Sequence, residues 1–97
     1  MGAKKFMFND LMIKTYYVPE LDTLDVWFGE INKQEAESEE TGDGVVLKRG
    51  PNREVLGVEI ISLSKTKKED LEGLPSDVRK TVLEAIRKLN LATANLS

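Results

Sequence analysis

Apolar and polar residues alternate in short stretches over the first two thirds of the chain, and the spacing becomes helical in the last third. Ile13, Thr15 and Tyr17 share one face of a stretch rich in Thr, Tyr, Val and Ile, with Lys14 and Tyr16 on the other, so Met12 to Val18 predicts a strand. Leu24, Val26 and Phe28 alternate with Thr23, Asp25 and Trp27, which predicts its partner over 23–28. The PELD between them reads as a tight loop: the fixed φ of Pro19 suits the second turn position, and the Asp22 carboxylate can cap backbone N–H groups. Val45 to Arg49 and Val55 to Leu63 read as further strands, bounded by Gly42-Asp43-Gly44 and Gly50-Pro51-Asn52. In the second of these, Leu56, Val58 and Ile60 share a face. Glu35 to Glu40 is assigned a short polar strand despite its weak propensity. Short turns between successive strands make an antiparallel meander the simplest topology.

After Leu63 the texture changes. The stretch SKTKKEDLEG is charged and breaks at Gly73, with one helical turn predicted around Glu69 to Glu72. Pro75-Ser76 opens a helix, with Ser76 as its N-cap and Asp77 as a favourable acid in the first turn. Val78, Val82, Ala85, Ile86, Leu89, Ala92 and Leu96 fall on one stripe at about 100° per residue, which should lie on the sheet. The predicted fold is α+β: an antiparallel β-meander of four to five strands followed by a C-terminal α-helix packed on the sheet. At 97 residues the chain suits one domain, comprising an N-terminal segment 1–11, the meander 12–63, and a linker with the helix over 64–97. The predicted core sets Leu24, Val26, Phe28, Val45, Leu47, Leu56, Val58 and Ile60 against Val78, Val82, Ile86 and Leu89. One helix covers one face only. Trp27, Tyr16, Ile61 and Leu63 are expected on secondary faces, and Leu83 and Leu91 fall off the helical stripe. A homodimer is therefore expected, with Trp27, Leu83 and Leu91 as candidate contacts. Gly57, inside a strand, marks a bulge or the close approach of a neighbour such as Trp27 or the helix.

Composition narrows the chemistry. The chain has no Cys and no His, so it offers no disulfide, no thiolate, no imidazole base and no imidazole metal ligand. Ser62 and Ser64 accordingly lack a His to activate them. Net charge is -3 but uneven: from Pro19 to Asp43 nine acids face one base, Lys33, whereas from Gly44 onward ten bases face seven acids. This balance argues against a nucleic-acid surface, which needs a concentrated basic face; acidic strands beside Tyr16, Tyr17 and Trp27 would repel phosphate. Glu35, Glu37, Glu39, Glu40 and Asp43 form an acidic belt suited to a basic protein partner, or simply a solvated face. Asp22, Asp25 and Glu59 are the carboxylates tied to the sheet itself. They are the residues of an alternative reading, an enzyme or a divalent-cation-binding domain. No cofactor-binding fingerprint is present in the chain. No apolar run approaches a bilayer span and the N-terminus lacks a signal-peptide pattern, so a soluble cytoplasmic protein is expected.

The hairpin and the later strands resemble a small uncharacterised prokaryotic family, domain-of-unknown-function family 2283. Tyr17, Pro19, Glu20, Asp22, Leu24 and Val26 match the first part of its pattern, AESEE stands at Ala36 to Glu40, and Gly57-Val58-Glu59-Ile60 matches the last. Val18 stands where the pattern has Asp, and Asp25 where it has an aromatic. The resemblance runs from about Ile13 to about Lys65, leaving the helix to rest on periodicity. It implies a compact β-meander domain of no established activity, and in some members an antitoxin-like partnership with a small toxin protein. Together with the composition, it points to a non-catalytic protein–protein interaction domain.

Overall fold

The computed structural model describes residues 4–8 by their backbone, and residues 13–29 and 37–89 with their side chains. Six strands among the described residues form one antiparallel sheet: β1 (Lys4–Phe8), β2 (Ile13–Val18), β3 (Thr23–Phe28), β4 (Glu37–Gly42), β5 (Val45–Arg49) and β6 (Val55–Ile61). Two short 3-10 turns follow, Leu63–Lys65 and Lys68–Leu71, and then helix α1 (Ser76–Lys88). The class is the expected α+β, with the helix after the sheet. The strand order β1-β2-β3-β6-β5-β4 refines the topology, because it joins two three-stranded meanders side by side through β3 and β6. An additional strand, β1, lies within the segment read from sequence as N-terminal to the sheet. Among the described residues, acidic β4 is one edge of the sheet and β1 the other.

The β2–β3 turn forms as its residues predict. Leu21 N–H donates to the Val18 carbonyl at 3.1 Å and Asp22 N–H to the Pro19 carbonyl at 3.2 Å, with Asp22 in the left-handed region at φ 54°. Alternation then sends Ile13, Thr15, Leu24, Val26, Val45, Leu47, Val58 and Ile60 to one face, all nearly inaccessible to solvent. Val78, Val82, Ala85, Ile86 and Leu89 meet them from α1. Burying that interface is the main source of the fold's stability.

Three expectations change. Leu56 does not share the core face. The register shifts between Lys48 and Arg49, which pair with Gly57 and Val55, so a bulge at Leu56 makes Val55 the residue packed against the core. Leu63 is not on a secondary face: at 1% exposure it joins Leu71 and Leu74 in the core, carried there by the 3-10 segments. Ser76 is not the N-cap but the first helical residue. Extended Pro75 (φ -54°, ψ 147°) is the cap, and its carbonyl accepts from Arg79 N–H at 2.8 Å. The predicted turn at 69–72 falls one residue earlier. Ala92 and Leu96 lie outside the described residues.

Candidate functional site

Three groupings of polar side chains stand out, and the backbone places each. The first is built on the β2–β3 turn. Left-handed Asp22 turns its carboxylate toward the segment after β6: Ser64 donates to Oδ2 from its backbone N–H (3.0 Å) and its hydroxyl (2.6 Å), and the Tyr17 hydroxyl donates to Oδ1 at 3.2 Å. The Asp22 carbonyl also accepts from Leu63 N–H at 2.9 Å. One residue thus ties the hairpin to the strand exit 42 positions away. Burial pushes the Asp22 carboxyl up, but the Ser64 and Tyr17 hydrogen bonds and the nearby Lys65 charge outweigh it, leaving the group below its usual range. Tyr17 is raised by burial, then by the negative charge of Asp22 and the bond it donates there. A depressed carboxyl with its oxygens so occupied is a poor proton acceptor. This arrangement positions backbone; it does not assemble a nucleophile.

The second grouping lies on the sheet face opposite α1. Register sets Asp25 directly opposite Glu59, and Trp27 directly opposite Gly57. Lys48 reaches Glu59 at 3.5 Å and donates to Ser38 Oγ at 3.2 Å, linking β4, β5 and β6. Gly57 shows why the position must be small: a Cβ there would lie 2.7 Å from the Trp27 ring and 2.6 Å from the Val26 carbonyl. The close neighbour expected at Gly57 is therefore Trp27. Asp25 and Glu59 come together, but Asp22 sits at the turn, engaged with Ser64. Among the described residues no cluster of three or more acidic side chains is arranged to hold a metal ion.

The third grouping is the acidic belt. Glu37, Ser38, Glu39 and Glu40 are all exposed on the edge strand. Pairing of Glu39 with Leu47 and of Glu40 with Val46 splits the belt between two faces, Glu37 and Glu39 on the side of α1 and Ser38 and Glu40 on the other. Arg49 holds Glu39 at 3.1 Å. Asp43 lies apart, beside a cleft of ≈ 270 Å³ with Lys65, Thr66 and Asp70. Glu35 is outside the described residues. Of the candidate dimer contacts, Trp27 is 8% exposed and Leu83 packs half-buried against the core. Leu91 is outside the described residues.

Sequence alone missed the Ser64 contact with Asp22, since nothing local links positions so distant. A polar side chain beside a predicted strand end was the only available signal. The family model described as "Protein of unknown function (DUF2283)" matches residues 14–64. That span is more than half of the chain. The protein belongs to this family. The DUF2283 region runs from the second residue of β2 through β6 and reaches Ser64, so it holds both partners of the Asp22 tie, the Asp25–Glu59 pair and the whole of β4. Helix α1, which completes the core, lies beyond it. Comparison with curated proteins and with solved structures finds no match. No helix among the described residues is long and apolar enough to cross a membrane.

Proposed function

We propose that this DUF2283 protein is a non-catalytic protein-binding domain of the prokaryotic cytoplasm, which recognises a basic protein partner through its acidic edge strand β4. The observation that carries the reading is the presentation of Glu37, Glu39 and Glu40, all exposed, on a strand at the border of the sheet. Charge held there steers an oppositely charged partner and leaves a strand border for it to approach. A small toxin is one such partner, in keeping with the role the family resemblance implies. Self-association into a homodimer belongs to the same reading. A partner captured from lysate of the source organism gives the test. Converting Glu37, Glu39 and Glu40 to Gln should slow its association and flatten the salt dependence while the circular dichroism spectrum stays the same. Association kinetics unchanged by the substitutions across a salt series would refute the reading.

The facing carboxylates of Asp25 and Glu59 favour a second reading, a divalent-cation site of two oxygen donors without Asp22. Titration with Mg²⁺ or Mn²⁺ should then perturb Trp27 fluorescence, and Asp25→Asn should abolish the response.

A further inference from the structure

The two borders of the sheet carry opposite charge. β4 presents Glu37, Glu39 and Glu40, whereas β1, at the opposite border, contains Lys4 and Lys5 and no acid. Every neighbouring pair in the order β1-β2-β3-β6-β5-β4 is antiparallel, so β1 and β4 run in opposite directions. A second copy displaced sideways in the plane of the sheet therefore brings its β1 against the first copy's β4 in antiparallel orientation. The helix-bearing faces stay on the same side. We infer that the protein self-associates head to tail, β4 of one copy pairing with β1 of the next. This rests on the reading of β4 as a binding edge and names a second copy as its partner.

Register makes the inference specific. Lys4 pairs with Tyr17 and Lys5 with Tyr16, which places Lys4 at a position on the α1 side of the sheet and Lys5 at one on the opposite side. Glu37 and Glu39 share the first side, Ser38 and Glu40 the second. Setting Lys4 of one copy opposite Glu39 of the next puts Lys5 opposite Ser38 and diagonal to Glu40, so each cation position meets acid on its own face. Pairing β4 with β4 would set Glu against Glu, which is unfavourable across a strand pair, and pairing β1 with β1 would leave the acidic borders unmatched. The open length of β4 is bounded. At its far end Gly42 packs directly against the Asp70 carbonyl and Gly73 against the Thr41 carbonyl, so the second 3-10 segment closes the strand after Glu40. The large apolar side chains exposed among the described residues are Leu21 and Ile61, which makes the strand borders a better route to association than an apolar face. Such an interface is heterologous: one contact gives a dimer that still has a free β4 and a free β1, so growth continues with concentration.

Sedimentation velocity of the full chain tests this. At low salt the weight-average mass should rise above the 10.9 kDa of one chain as concentration increases, and should fall back toward it at about 0.5 M salt. The double reversals Lys4→Glu with Lys5→Glu, and Glu39→Lys with Glu40→Lys, should each weaken association about tenfold or more. Mixing the two variants should restore it, because each then supplies the charge the other lacks. Circular dichroism establishes that each variant is folded. If one is not, the salt series on the unmodified chain decides. A mass of 10.9 kDa at every concentration, or a closed dimer indifferent to salt and to both reversals, overturns the inference. If it falls while the Glu→Gln substitutions still weaken capture of a basic partner, the proposed function stands without it.

Discussion

Asp22 offers the sharpest test of how the fold is held, because its backbone and its side chain make separable contributions. Its φ of 54° is uncommon for any residue but Gly and costs Ala about 1 kcal/mol, whereas Asn and Asp tolerate it. Its carboxylate accepts three hydrogen bonds, two from Ser64 and one from Tyr17. Such bonds to a charged acceptor are worth about 1.5–3 kcal/mol each when buried. Here Ser64 is exposed and Asp22 only half-buried. Water replaces much of what is lost, and about 2 kcal/mol for the whole set is the appropriate scale. Asp22→Asn should therefore cost about 1 kcal/mol, Asp22→Gly about 2 and Asp22→Ala about 3. Against a typical domain stability of about 5–15 kcal/mol these are large, separable differences.

Trp27 is the single tryptophan and is 8% exposed, so its fluorescence reports unfolding in urea directly. The order Asn, Gly, Ala at constant m-value is the expected result. Equal stability of the Gly and Ala variants would show that the left-handed conformation carries no cost. An Ala variant as stable as the unmodified chain would refute the tie altogether. Acid adds an independent arm. The folded carboxyl titrates below its unfolded value of about 3.9, so its stabilisation is fully present above that pH and is lost as pH falls through the lower folded value. The Asn variant should lose that part of the acid sensitivity. Tyr17 behaves in the opposite sense: its raised pKa stabilises the fold below about pH 10 and the effect is lost as pH rises through the folded value.

Three further substitutions examine the packing. Ile86→Ala removes a side chain 5% exposed in the core and should cost about 2–5 kcal/mol in urea unfolding; a loss well under 1 kcal/mol would place the helix's packing elsewhere. Thr15 is fully buried with no hydrogen-bond partner for its hydroxyl among the described residues, so Thr15→Val should stabilise by about 1 kcal/mol, and destabilisation would mean the hydroxyl is satisfied. Gly57→Ala drives a methyl into the Trp27 ring and the Val26 carbonyl and should cost about 1–3 kcal/mol with a shifted emission maximum; an unshifted spectrum at full stability would refute the contact.

Strand faces and the helical stripe were legible in the sequence because each follows a local period. Leu24, Val26, Val58, Ile60, Val78, Val82 and Ile86 all lie where alternation or the helical stripe places them. The exceptions arose where that period breaks. A bulge shifts the β5–β6 pairing at Leu56; Gly57 signals a bulge or a close neighbour but not which residue is displaced, so Val55 and Leu56 exchanged roles. Leu63 and Leu71 sit in 3-10 segments and Leu74 in the bend before α1, all too short for a periodic signal, yet they fill the core at 1%, 1% and 3% exposure. Strand order was the hardest part. Local patterns give which segments are strands, but the passage from β3 to the far border at β4 depends on the whole sheet. The candidate site divided in the same way. Asp22 was legible as turn chemistry from PELD alone, whereas its bond to Ser64 required the hairpin and the exit of β6 to be brought together in space.

That division bears on what the acidic belt can recognise. Counted along the chain, the glutamates look like one patch; in the sheet, alternation sends Glu37 and Glu39 to one side and Glu40 to the other. A compact basic surface resting on a single face would meet only part of this charge. A partner that approaches along the border, in the plane of the sheet, reaches both sets at once, and its own strand alternation then distributes cations to both faces. Arg49 already sits 3.1 Å from Glu39 and Lys48 3.2 Å from Ser38, so β5 orients both side chains from behind and partly neutralises Glu39. The charge that remains for a partner is concentrated in Glu37 and Glu40, one on each face. Glu37→Gln and Glu40→Gln should therefore slow association more than Glu39→Gln does, a ranking that a diffuse acidic surface would not produce.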